Sequence, residues 1–146
     1  MRRRDSQRKK VYLAEREAFD FLGLASCTPL EKPEIEKIVK AVVRTKKRKF
    51  GYLYQVTVAY PKNRNRATCW FRGPREIRIS LPPWSRNKLF LCHELAHFLS
   101  GPQIGHHGKF VSNYIQLVRR FMGPETAKLL KTSFKKFRVK TKGGIE

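Results

Sequence analysis

The hydrophobic periodicity of this 146-residue chain predicts an α+β fold: two N-terminal helices, a small antiparallel three-stranded sheet, then three further helices. Three observations carry that prediction. Apolar residues recur at helical spacing as far as Val43, alternate with a period of two from Tyr54 to Leu81, and return to helical spacing after Pro83. The length and the 40% hydrophobic composition suit one domain over residues 1–146, with basic tails at 1–10 and 136–146.

Val11, Ala14, Ala18, Phe21 and Leu22 mark an amphipathic helix over Val11–Leu24. Ser26–Lys32 reads as a loop, and Pro33 suits the first position of a second helix carrying Ile35, Ile38, Val39, Val42 and Val43 on one face. That helix ends in Arg44–Lys49, where cations complement the helix dipole. Tyr54, Val56, Val58 and Tyr60 then alternate as a half-buried strand. Ala67–Arg72 and Ile77–Leu81 read as two more strands, with polar or Gly-Pro turns between and Pro82-Pro83 as the stop. Such short turns favour antiparallel pairing. Ser85 is a candidate N-cap for a helix to about Leu99, which Gly101-Pro102 ends. Phe110, Tyr114, Leu117, Val118 and Phe121 mark the next helix, and Pro124 opens a last one to about Phe134.

Charge is the strongest feature of the composition. Lysine and arginine total 33 against 11 acidic residues, a formal net charge of +22. The excess gathers at Arg2–Arg4, Arg8–Lys10, Arg44–Lys49, Lys62–Arg66 and Lys131–Lys142. Self-repulsion on that scale points to a polyanionic partner, and non-specific DNA or RNA is the partner expected. No apolar run approaches membrane-spanning length, and none follows the basic N-terminus as a secretion signal requires. Cys27, Cys69 and Cys92 are odd in number, far apart and free of any C-x-x-C pair. They read as reduced thiols in a cytoplasmic protein.

His93-Glu94-Leu95-Ala96-His97 is an H-E-x-x-H pattern. Residues four apart share a helix face, so two imidazoles there can grip one tetrahedral zinc ion. Glu94 can then face a metal-bound water and act as general base. All four histidines of the chain fall within the fifteen positions from His93 to His107. A catalytic site needs a third protein ligand and one open position. His106 and His107 are the candidates; Glu125, in the first turn of the last helix, is better explained by the helix dipole.

The pattern His93–His97, a short loop and His106-His107-Gly108-Lys109-Phe110 resembles the SprT-like and related small zincin metallopeptidases, whose third histidine lies in an H-G-x-x-F element. The chain is also similar to a group of short metallohydrolases of actinobacteria and their phages. The similarity lies in Arg4-Asp5-Ser6-Gln7-Arg8-Lys9-Lys10-Val11-Tyr12, and in Gly123-Pro124-Glu125 followed by Leu129-Leu130. The family histidine stands four before the phenylalanine, which selects His106, yet has glycine directly after it, which selects His107. The helical spacing that follows Phe110 favours His106. The resemblance implies a zincin-like fold with one zinc ion per chain. It also implies an edge strand lining the cleft, here Arg75–Leu81, with Ile77, Ile79 and Ser80 as substrate-binding residues.

A zinc-dependent metallopeptidase follows from these residues: a peptide or protein as substrate, Glu94 as catalytic base, and His93, His97 and His106 as ligands, in the host cytoplasm if the gene is a phage's. Zinc hydrolysis of a non-peptide amide or ester fits the same residues. The alternative from another class is a nucleic-acid-binding protein with a structural zinc, using Trp70, Phe71 and Arg72 as a stacking surface.

Overall fold

Helices form where the apolar spacing is helical. The computed structural model describes residues 5–63 and 66–141, so Arg2–Arg4, Arg64, Lys142 and Glu146 lie outside the described residues. Five α-helices and three strands follow in the order α1 (Arg8–Ser26), α2 (Lys32–Phe50), β1 (Gln55–Ala59), β2 (Thr68–Phe71), β3 (Glu76–Ser80), α3 (Lys88–Ser100), α4 (Gly108–Met122) and α5 (Pro124–Lys136). The class is α+β. No described helix is long and apolar enough to cross a membrane, and the three cysteines are free thiols.

The sheet departs from the expected pairing. Its order is β1-β3-β2, with β3 antiparallel to β2 but parallel to β1. The turn after Phe71 makes the β2–β3 hairpin that local turn chemistry dictates. The longer excursion from Ala59 to Thr68 carries β2 past its predecessor, so β3 inserts between them. Such crossovers depend on what the sheet packs against, and strand sequence alone does not encode them. Ile77, Ile79 and Leu81 are fully buried on the inner face. Since β3 is hydrogen-bonded on both sides, the expectation that it is an edge strand is corrected.

Helix α3 starts later than the sequence suggests. Ser85 closes a single 3-10 turn, its Oγ donating to Pro82 O at 2.8 Å. Asn87 is the N-cap, its Oδ1 accepting from Phe90 N at 3.0 Å. At the far end, Lys46 of α2 donates from Nζ to Phe98 O at 2.6 Å, between the rings of Tyr54 and Phe98. Burial lowers this lysine's pKa to about 8, and its ammonium binds one of the carbonyls that a helix C-terminus leaves unpaired. Ser100 Oγ accepts from Asn113 Nδ2 at 3.0 Å and so ties α3 to α4.

The described parts of both termini pack together and are not tails. Gln7 is buried; its Nε2 donates to His106 O (2.9 Å) and its Oε1 accepts from Lys140 N (2.6 Å). Val139 is also buried. In α1, Val11, Ala14 and Ala18 face the core, whereas Phe21 is 77% exposed. The left-handed φ of Gly23 (+69°) interrupts the helix two residues later.

Burial pushes the Cys92 thiol up to about 12, against an ordinary value of 9.0. A group whose folded pKa is raised contributes stability that is complete below its unfolded pKa and is lost as pH rises through the window above it. We therefore expect Cys92 to lower unfolding free energy by about 1.4 kcal/mol per pH unit between about pH 9 and 12. Chemical denaturation of wild type and Cys92→Ala over that range isolates the slope. Parallel profiles would show that the thiol ionises equally in both states.

Candidate metal centre

The H-E-x-x-H residues lie on α3, where His93 and Glu94 are buried and His97 is half-buried. The chain turns at Gly101 and returns through a loop that brings His106 against them before α4 begins. Ligand-type nitrogens of His93, His97 and His106 all lie within 4.8 Å of one another, a cluster placed to hold a metal ion. His107 is not in it: this residue is the N-cap of α4, and its backbone N donates to Ile104 O at 3.3 Å. Of the two candidates left by the sequence, the structure brings His106 to the other histidines. Phe110 underlies the cluster, its ring stacked on His97 at 4.4 Å and edge-on to His93 and His106.

Two carboxylates that sequence reasoning missed orient the rings. Glu15 of α1 meets His93 Nδ1 at 2.6 Å, and Asp5 meets His106 Nδ1 at 2.6 Å. Ionised carboxylates only accept hydrogen bonds, so each Nδ1 carries the proton and each Nε2 keeps its lone pair. The two Nε2 atoms face each other at 3.3 Å. With both rings neutral, two lone pairs at that distance repel; a proton on His93, whose pKa is raised, or a cation beside both relieves this, and the donor set fits a metal ion. Tyr114 of α4 donates its one hydroxyl proton to the same Glu15 oxygen at 2.6 Å, with Leu89 O a second acceptor within reach at 3.1 Å. Asp5 also accepts from His106 N at 3.2 Å. Gly105, at φ +58°, permits this approach, because a Cβ there would stand 2.8 Å from Asp5 Oδ2.

Glu15 had a detectable signal. It falls within the stripe of Val11, Ala14 and Ala18, and a carboxylate on an apolar helix face needs a buried partner. Asp5 had none beyond its place in the N-terminal segment.

The electrostatics follow from burial and these partners. Burial opposes protonation of His93, but the charge and hydrogen bond of Glu15, helped by Glu94, outweigh it and raise the pKa. His97 is held well below the ordinary value by burial and by its two histidine neighbours. Burial also lowers His106, although its hydrogen bond to Asp5 opposes this. Neutral imidazole is the form that ligates. Glu94 is pushed up to about 7, chiefly by burial, which brings it into the range of a general base at neutral pH.

A cleft of 930 Å³ opens onto His93 and Glu94, walled by Tyr12 and Leu13 of α1 on one side and by Ala67, Trp84 and Phe90 on the other. The Tyr12 ring stacks on His93 at 5.7 Å. Ile77 and Ile79 do not reach this space, because their side chains are in the core. Ser80 is buried and sits between Ala59 and Thr68 in the ladders. None of the three lines the cleft, so the assignment of Ile77, Ile79 and Ser80 as an edge strand lining it is corrected. Among the described residues β2 has β3 as its only partner, and Ala67, just before β2, lines the cleft. No family model matches the chain, and comparison with curated proteins and with solved structures likewise finds no match.

Proposed function

We propose that the chain is a zinc-dependent metallohydrolase of zincin-like architecture, acting on a peptide or protein. One observation carries the reading: two carboxylate-backed imidazoles present their Nε2 atoms to each other at 3.3 Å, with His97 in the same cluster. Nitrogens about 2.0–2.1 Å from a tetrahedral zinc ion stand about 3.3 Å apart, so the spacing supports that ion. His93, His97 and His106 would hold it.

When bound, zinc supplies Lewis acidity and a water that ionises near neutral pH. The chain does the rest. Asp5 and Glu15 keep the ligand tautomers fixed. Glu94 takes a proton from the attacking water and delivers it to the departing amine nitrogen as the carbon–nitrogen bond breaks. Tyr12, Trp84 and Phe90 give the cleft apolar surface for a substrate side chain, among the charged Arg8, Lys9, Arg16 and Arg66. The free edge of β2 suits an extended peptide, which could add to it by backbone hydrogen bonds and run into the cleft.

A nucleic-acid-binding protein with a structural zinc is the competing reading. A closed site needs a fourth protein ligand, and among the described residues the cluster contains only three histidines. Elemental analysis of the purified protein should find one zinc per chain. His106→Ala should lose the metal and His107→Ala should keep it. Folded protein without recoverable transition-metal binding would overturn the reading, and equal loss from both variants would overturn the choice of third ligand.

A further inference from the structure

The two faces of the sheet have opposite chemistry. Cys69, Phe71, Ile77 and Ile79 point inward and pack with the core. The other face carries Thr68, Trp70 and Arg72 from the β2 side, and Arg78 and Ser80 from β3. Trp70 is 65% exposed and stands directly opposite Arg78 in the antiparallel ladder. Arg72 follows two residues along, on the same side. Between them runs a groove of 460 Å³, which Tyr60 and Pro61 close at one end. Neither Arg72 nor Arg78 is paired with a carboxylate among the described residues.

We infer that this outer sheet face is a binding platform for single-stranded nucleic acid, with Trp70 stacking a base and Arg72 and Arg78 contacting the flanking phosphates. An exposed indole costs free energy in water unless something covers it. A nucleobase does so through its π-face whatever its identity, and arginine beside it neutralises the backbone. Duplex bases are already stacked on one another, so the indole selects single strands. A net charge of +22 supplies the long-range attraction that brings a polyanion to the groove. Phe71, grouped with Trp70 and Arg72 in the sequence, faces the core and takes no part. The groove shares no residue with the cleft at His93 and Glu94, so this platform does not depend on the metallohydrolase reading.

Anisotropy titration of a dye-labelled oligothymidylate, beside a duplex of equal length, tests the inference at about 50 mM salt. Trp70→Ala should weaken single-strand binding about 5- to 150-fold without changing the salt slope, since stacking is not ionic. Trp70→Phe should restore most of the affinity. Arg72→Gln with Arg78→Gln should reduce the log–log salt slope by about 1.4, for two phosphates released. Removing two cations elsewhere, by Lys128→Gln with Lys131→Gln on α5, should leave that slope nearly unchanged. Wild-type affinity in Trp70→Ala, equal binding of duplex, or no binding at low salt would each overturn the platform. Metal content measured on the same samples should not change, which keeps this outcome separate from that of the metal centre.

Discussion

Under the proposed mechanism, Glu94→Gln should leave metal binding in place and lower turnover of a casein or peptide-library substrate by about 100- to 10,000-fold, the range a positioned general base contributes. The expectation rests on the division of labour on α3. His93 and His97, four residues apart, join His106 in the cluster, while Glu94 lies alongside, its Oε1 4.0 Å from His93 Nε2. Glutamine keeps the shape and can still hydrogen-bond to a water, but it cannot take the water's proton. His97→Ala is the contrasting variant. It removes a ligand and should lose metal and activity together. Elemental analysis beside the activity assay separates the two behaviours. Wild-type turnover in Glu94→Gln on a verified substrate would remove Glu94 from the mechanism.

The elements that the sequence made legible are those with a local cause. Helical spacing located α1, α2 and α4, alternation located β1 and β3, the turns on either side bracketed β2, and Pro124 marked the start of α5, because each signal is local. The histidines were legible for a similar reason: His93 and His97 share a helix face, and His106 follows within ten residues of His97. What stayed hidden was set by tertiary packing. Strand β3 could have been an edge or a centre with the same Ile77, Ile79 alternation; its pairing with both β1 and β2 makes it the centre. Ser85 and Asn87 both have N-cap chemistry; a 3-10 turn consumed the first and left the second as the cap. His106 and His107 differ by one residue, and the start of α4 at Gly108 sends only the first toward the cluster.

The carboxylates that orient the ligands lay farthest from view. Glu15 reaches His93 across 78 residues and Asp5 reaches His106 across 101, distances no local pattern spans. They also explain the position of the N-terminal segment. Asp5 and Gln7 fix the loop that carries His106, and α1 then brings Tyr12 and Glu15 to His93. The candidate metal centre is thus assembled from the N-terminal segment and the α3–α4 pair.

Glu15→Ala and Asp5→Ala should therefore each weaken metal binding about 10- to 100-fold, although neither carboxylate belongs to the histidine cluster. Without its carboxylate a ring loses the bond that fixes its tautomer, and Nε2 no longer reliably presents a lone pair. Glu15→Ala should have the wider consequence. Its removal also leaves the buried His93 Nδ1–H without its acceptor and turns the Tyr114 hydroxyl to Leu89 O, so this variant should lose stability as well, by about 1–3 kcal/mol. Asp5 is part-exposed and backs the loop ligand, so its loss should act mainly on the metal. Competition against a chromophoric chelator gives the affinity, and denaturant unfolding of the metal-free proteins gives the stability separately. Asp5→Asn is the informative partial rescue: its amide oxygen can still accept from His106 Nδ1 but carries no charge, so affinity should fall between wild type and Asp5→Ala. If Asp5→Ala and Glu15→Ala remain folded and bind metal as tightly as wild type, the two carboxylates only pack against the rings, and the orienting role assigned to them is wrong.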